Sequence, residues 1–214
     1  MMRIALINEN SQAPKNALIY QTLSDVTTKL GFKVDNYGMY SQEDKAWLTY
    51  VQNGILASVL INGGAADYIV TGCGTGMGAM LALNSFPGII CGLVIDPSDA
   101  FLFSQINDGN AISLPYAKGF GWGAELNMAY IFDKFFSVKG GGGYPPEKQK
   151  VERENKKILD GVRKNNFKDI VDCLDGIDKN LVKDALSGEN FKTLFYKNAK
   201  DERMIKYVNG IVGE

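Results

Sequence analysis

The sequence predicts an α/β protein: a Rossmann-like three-layer αβα sandwich on a five-stranded parallel sheet, followed by a C-terminal helical extension. Three observations predict it. Short apolar runs alternate with longer stretches of helical spacing over the first two-thirds of the chain. One of those runs, 88–95 (GIICGLVI), is apolar at nearly every position, as a strand covered on both faces should be. The composition then breaks at 139–150 (KGGGGYPPEKQK), and the lysine-rich remainder has no strand rhythm.

Taken in order, residues 3–8 (RIALIN) form the first strand candidate. Helical spacing follows over 14–30 through Ala17, Leu18, Leu23, Val26 and Leu30, closed by Gly31. Residues 32–38 (FKVDNYG) read as the second strand, and 43–61 as a helix with Trp47, Val51, Ile55, Val59 and Leu60 on one face. Strands are expected at 67–72 and 88–95, with a helix over 77–84 between them. Asp96 is the N-cap candidate of the next helix, with Pro97 at its first position and Asp99 three residues after the cap. A fifth strand is expected at 110–114 and a helix at 122–137. The chain therefore divides into a sheet domain, 1–138, and a hinge with helical extension, 139–214. In the extension, Leu174, Leu181, Leu186, Phe191, Leu194 and Phe195 are the packing positions, facing the sheet domain or a neighbouring subunit.

The 214 residues, 45% hydrophobic and 22% charged, suffice for one sizeable core. A net charge of −1 gives no reason to expect nucleic acid or an anionic membrane as partner. No apolar run approaches the roughly 18–20 residues that span a bilayer, and the opening MMRIALINEN lacks the features of a signal peptide. Cys73, Cys91 and Cys173 have no CxxC spacing, so neither a disulfide framework nor a zinc knuckle is indicated, and a reducing cytoplasm is expected. The chain has no histidine. His-dependent triads and His-containing metal sites are thereby excluded, and proton transfer must use Cys, Asp, Glu, Lys, Tyr or water.

The stretch that holds chemistry is 70–80, VTGCGTGMGAM. Alternating glycines let several backbone N–H groups converge, and the helix expected from Met77 favours an anion at its start, a thiolate included. Thr75 adds a hydroxyl. A dinucleotide fingerprint, GTGMGA at 74–79, is a weak reading because it follows the third strand and because Asp96 serves as a helix cap. A Walker loop would need a lysine after the glycines. From the residues alone, a tight turn with Cys73 as buried filler stands beside a reactive thiol over a substrate.

A wider pattern separates these. Cys73–Gly78 (CGTGMG), Leu83–Gly88 (LNSFPG) and Asn107–Asn110 (NDGN) follow in order within a segment that resembles the ribose-5-phosphate isomerase B and galactose-6-phosphate isomerase family. The similarity covers roughly residues 3–138. It implies an aldose–ketose isomerase working through an enediolate, with no metal or organic cofactor. By this resemblance Cys73 is the base, while Thr75 and the N–H groups around Gly74, Gly76 and Gly78 form the anion hole. Some family members place a Glu where this chain has Ala79, so Cys73 has no rival. Asn8, Asn10, Gly72, Met77 and Lys118 fall among the implied substrate contacts. Asn107 matches an Asn that reaches the site from a second subunit, which implies a homodimer or tetramer with shared active sites.

The chain also departs from the family. Its aspartate–histidine pair becomes Glu9 and Asn10, and its ring-opening histidine becomes Ile106. Glu9 is either a proton-handling group or a loop hydrogen-bond partner. The phosphate-clamping arginines are absent, leaving Lys118, Lys148, Lys150 and Arg153 nearby in sequence. These losses suit an open-chain, non-phosphorylated, acidic sugar. The opening IALINENSQAPKN, the segment NYGMY and the extension resemble the branch that isomerises 4-deoxy-L-threo-5-hexosulose uronate. A phosphosugar isomerase and a non-catalytic sugar or nucleotide binder are the alternatives. Tyr37 and Tyr40 are read as packing under a loop, Trp122 as a subunit contact, and Cys91 as inert core.

Overall fold

The computed structural model describes residues 1–213. Apolar alternation in each strand feeds two separate cores. In β1 (Arg3–Ile7), Ile4 and Leu6 enter one core while Ala5 and Ile7 enter the other, all fully buried. On one face α1 (Asn16–Thr27) brings Ile19 and Leu23 against Ile4 and Leu6. β2 (Lys33–Asn36) pairs with β1 on one side. α2 (Tyr50–Asn62) then leads to β3 (Tyr68–Cys73), which pairs with β1 on the other. α3 (Met77–Asn84), β4 (Cys91–Leu93), α4 (Pro97–Leu102), β5 (Ala111–Pro115) and α5 (Ala124–Phe136) complete the sheet domain. The strand order is β2-β1-β3-β5-β4, parallel throughout, as the alternating pattern predicts.

Three local expectations are corrected. The helix expected over 43–61 begins only at Tyr50, where Thr49 and Gln52 form a capping box. It is also not one-faced: Gln52 to Leu60 are all buried, because the sheet covers one side and extension helices the other, while Trp47 and Val51 are exposed. The strand expected over 88–95 shrinks to Cys91–Leu93. Side-chain amides take over at its entry: Asn110 Oδ1 accepts from Ile90 N at 2.9 Å, and Asn84 bonds both the N and the O of Cys91 at 3.0 and 2.8 Å. Finally, Asp96 caps α4 as expected, but Asp99 reaches past the cap to Ile95 N at 3.0 Å.

After α6 (Gln149–Asn166), the helices α7 (Ile170–Asp175), α8 (Lys179–Ala185), α9 (Glu189–Asn198) and α10 (Glu202–Val212) cover α2. Leu174, Leu186, Phe191 and Phe195 are buried in one cluster with Ile55, Leu56 and Val59, and Leu181 and Leu194 pack against it half-buried. The extension thus packs on its own sheet domain. Truncating one such phenylalanine to alanine costs about 3–5 kcal/mol. A buried polar anchor accompanies the apolar one. Asp35 pairs with Arg3 at 2.8 Å and Lys33 at 2.9 Å, and accepts from Asn198 Nδ2 at 3.1 Å. α6, by contrast, has no buried residue, and its Val151, Ile158 and Val162 are exposed. No helix among the described residues is long and apolar enough to cross a membrane.

Candidate active site

The carboxyl ends of β1, β3 and β5 converge, which is where open parallel sheets bind ligands. The Gly-rich loop leaves β3 at Cys73 and enters α3 at Met77. Its path is set by β5. Tyr116 N donates to Cys73 O and Ala117 N to Gly74 O, each at 3.0 Å, and Ser113 Oγ donates to Gly76 O at 2.7 Å. Gly76 is the left-handed N-cap of α3, with φ +75°, and a Cβ there would stand 2.5 Å from Leu93 Cδ1. The loop therefore needs glycine at 76 for backbone and space alike.

Around this turn the geometry is that of a thiol beside an anion-favouring helix start. Cys73 is 8% exposed, and its Sγ lies 4.0 Å from Thr75 Oγ1. Thr75 is exposed and its Oγ1 accepts from Met77 N at 3.3 Å. Thr75 thus takes the first N–H of α3, while those of Gly78 and Ala79 have no acceptor within the helix itself and give its start a partial positive charge. Met77 is exposed at the same place. Gly78 allows a close approach: a Cβ would lie 3.2 Å from the Tyr50 ring. Gly74 meets only Ala117, at 3.6 Å, whereas Gly72 is packed under Tyr116 and has no room for a ligand.

The β1 loop stands beside this turn, across the β1–β3 pairing. Glu9 is buried, and both its oxygens accept from Ser11, from N at 2.8 Å and from Oγ at 2.5 Å. Asn10 is half-buried and bonds Leu48 O through both its N and its Nδ2, each at 2.8 Å. Asn8 is fully buried; its Nδ2 donates to Asn16 Oδ1 at 2.8 Å, and its own Oδ1 has no partner. Its side chain faces the interior, where Asn36 joins the same acceptor at 3.1 Å. Lys118 is exposed on the turn after β5, next to the residues that hold Gly74.

One residue at this end escaped the sequence reading. Lys15 donates to Gln12 Oε1 at 2.9 Å and to Tyr116 O, and its Nζ lies 4.7 Å over the Phe120 ring. Burial lowers its pKa below the ordinary lysine value, and Glu9 partly offsets that. It bridges the β1 and β5 loops. The only signal was a lysine after Pro14 just beyond the first strand, in a stretch read for its apolar positions alone.

Asn107 is not part of this cluster within the chain. It closes the π-helical turn Phe103–Asn107 ahead of β5, exposed at the amino end of the sheet. Register pairs Ile69 with Ala111 and Cys73 with Pro115, so the length of β3, about 16 Å at strand rise, separates Asn107 from Cys73. Asp108 beyond it adopts φ 48°, and Asn110 is spent on Ile90 N and Gly88 O. A cavity of about 640 Å³ also lies at that end, between Pro87–Gly88 and α6, with Cys73 outside its lining. No group of three or more His, Cys, Asp or Glu residues with metal-binding geometry occurs among the described residues.

Cys91, inside β4, is buried, and burial pushes its thiol far above the ordinary range. Tyr37 is buried and Tyr40 half-exposed, with its OH on Asn36 O at 3.1 Å. Trp122 is fully exposed in the single chain.

Comparison with known proteins shows the family of the chain. Residues 4–152, more than half of the chain, match the model of the family described as Ribose/Galactose Isomerase. Residues 166–211 match a second model, described as Ribose-5-phosphate isomerase. A crystal structure of 4-deoxy-L-threo-5-hexosulose-uronate ketol-isomerase complexed with a tartrate is 51% identical, covers 100% of both chains and superposes with a TM-score of 0.97. A ribose-5-phosphate isomerase from Vibrio parahaemolyticus is 47% identical over 99% of both chains, with a TM-score of 0.95. The type B ribose 5-phosphate isomerase of Trypanosoma brucei, 22% identical over 74% of this chain and 99% of its own, shares the fold with a TM-score of 0.60. The thiol beside a glycine-rich helix start and the full-length likeness lead to one conclusion: the chain belongs to the ribose/galactose isomerase family and is a sugar isomerase of the aldose–ketose type.

Proposed function

We propose that the substrate is an open-chain, non-phosphorylated acidic sugar of the 4-deoxy-L-threo-5-hexosulose uronate kind. The observation that carries this reading is the 51% identity, over both full lengths, to a ketol-isomerase of that name. The absence of histidine supports it, because an open-chain sugar needs no ring opening. In this mechanism Cys73 takes the proton from the hydroxyl-bearing carbon next to the carbonyl. The electron pair moves onto the carbonyl oxygen and forms an enediolate. Cys73 then delivers a proton, either the abstracted one or one it has exchanged with solvent, to the former carbonyl carbon. The hydroxyl proton passes to the former carbonyl oxygen, so no atom is gained or lost. Thr75 and the N–H groups of Gly74, Gly76 and Gly78 stabilise the oxyanion, each such donor contributing about 2.7–4 kcal/mol in known cases. Met77 and Asn10 line the mouth, and Lys118 or Lys15 faces the sugar carboxylate.

Glu9 and Asn8 act as supports in this reading. Both oxygens of Glu9 are already engaged by Ser11, and Asn8 faces inward. Asn107 enters from a second copy, making a homodimer with shared sites, because within one chain it lies at the opposite end of the sheet. The 47% identity to a ribose-5-phosphate isomerase keeps a phosphosugar as the second reading.

The test is exchange in deuterated water with a panel that includes the deoxyhexosulose uronate, ribose 5-phosphate and galactose 6-phosphate. Label at the transferred carbon of the uronate alone is the expected result. Turnover of a phosphosugar at a higher kcat/KM overturns the substrate assignment.

A further inference from the structure

We infer that Asn190, in the first turn of α9, is a positioning residue for the candidate site, through which the C-terminal extension sets the geometry of the β1 loop. Its Nδ2 donates to Gly38 O at 2.7 Å and to Tyr37 O at 3.2 Å. This amide does not cap its own helix: the N-cap of α9 is Gly188, with no side-chain cap bond. Both of its donor bonds leave the extension and grip the chain where β2 ends.

That grip is transmitted by backbone contact. A Cβ on Gly38 would lie 2.3 Å from Asn8 N and 2.7 Å from Asn8 O, so residue 38 rests directly on Asn8. Met39 N then donates to Asn8 O at 2.9 Å. Whatever fixes residues 37–39 therefore fixes Asn8, and with it Glu9 and Asn10. A second leg runs on from Met39, whose sulfur accepts from Leu48 N at 3.3 Å. Leu48 O in turn holds Asn10. Thr49 caps α2, and the next residue, Tyr50, stands against Gly78 in the first turn of α3. One side-chain amide thus braces both loops that form the site.

The brace matters because residues 37–49 belong to no strand or helix. Tyr37, Met39 and Leu48 anchor this segment in the core, and Tyr37 N and Gly38 N bond Leu6 O. The backbone between these anchors keeps its place through a few polar bonds, which open locally at low free-energy cost when one is removed. α9 holds the same point from its other end, where Asn198 Nδ2 donates to Tyr37 OH at 2.9 Å. The kinetic part of this inference rests on the proposed uronate reaction; the structural part does not.

The experiment compares Asn190→Ala and Asn190→Asp with the parent, and Lys192→Ala, which removes an exposed ion pair on the same helix, as control. Asn190→Asp keeps the size and suits a helix N-terminus, but turns an acceptor toward two carbonyls. Hydrogen exchange is read without substrate, and steady-state kinetics with 4-deoxy-L-threo-5-hexosulose uronate. Amides in 37–48 should exchange at least about tenfold faster in both variants, with β1, β3 and α10 unchanged. KM should rise about five- to tenfold while kcat changes less than about threefold, since Cys73 is untouched. Unchanged exchange over 37–48 in the folded Asn190→Asp protein overturns the inference, as does the same kinetic change in Lys192→Ala. If the parent turns over no sugar, the proposed function fails, and the exchange data alone decide the brace.

Discussion

The sulfur of Cys73 lies 4.0 Å from the hydroxyl oxygen of Thr75, at the point where β3 gives way to α3. A thiol and a hydroxyl, the base and the oxyanion donor of the proposed reaction, are thereby held in one turn at the start of a helix.

Replacing Cys73 with alanine should lower kcat by about 10²–10⁴-fold, the usual contribution of a general base. Folding should be little affected, because the side chain is small and sits at the loop mouth. Steady-state assays and thermal melts of the variant check both halves. A rate within tenfold of the parent would show that another group moves the proton.

The glycines of the loop should not be equivalent. Gly76→Ala forces φ +75° on an L-residue and drives its Cβ into Leu93, so a loss of about 1–3 kcal/mol from the backbone alone is expected. Gly74→Ala meets only Ala117 at 3.6 Å and should be tolerated. Urea denaturation of the pair measures the contrast.

Glu9 separates by conservative substitution. With both oxygens accepting from Ser11, Glu9→Gln keeps one acceptor and should retain activity within about tenfold, while Glu9→Ala frees the turn and loses more. Complete loss in Glu9→Gln with native hydrogen exchange would instead make Glu9 a proton carrier.

Shared sites can be tested by mixing. Cys73→Ala and Asn107→Ala homodimers should each be inactive, whereas the mixed dimer has one site free of both lesions. Equal mixing with subunit exchange should restore about a quarter of the parent activity in a two-fold symmetric dimer. No recovery after exchange, followed by mass, argues that Asn107 serves its own subunit or none.

Cys91 makes a pH prediction. Burial raises its folded-state pKa, so the unfolded chain ionises first as pH rises. Its contribution is fully present below the ordinary cysteine value, near 9, and is lost above it. Stability should fall by up to about 1.4 kcal/mol per pH unit between pH 9 and 10. Denaturant midpoints in reductant at pH 8 and pH 10 check this, and Cys91→Val should remove that part of the slope.

The five parallel strands, the Gly-rich turn and the Asp96 cap were legible because each depends on neighbours within a few residues. The start of α2 was misread because Trp47 and Val51 fit a helical period while facing solvent, and the capping box at Thr49 went unnoticed. The motif residues Asn84 and Asn110, which helped mark the family, prove to pin β4 to its surroundings. Lys15 was overlooked because its partner Tyr116 lies 101 residues away.

By itself the sequence determined the fold class and the glycine-rich turn, since periodicity and short-range glycine spacing are properties of local chain. The isomerase family entered through the resemblance carried by CGTGMG, LNSFPG and NDGN. Only the tertiary structure decided which residues meet. It turned Asn8 inward, closed Glu9 onto Ser11, set Asn107 at the far end of the sheet and brought Asn190 to Gly38. These outcomes depend on how strands and helices distant in sequence pack, and no local pattern encodes that.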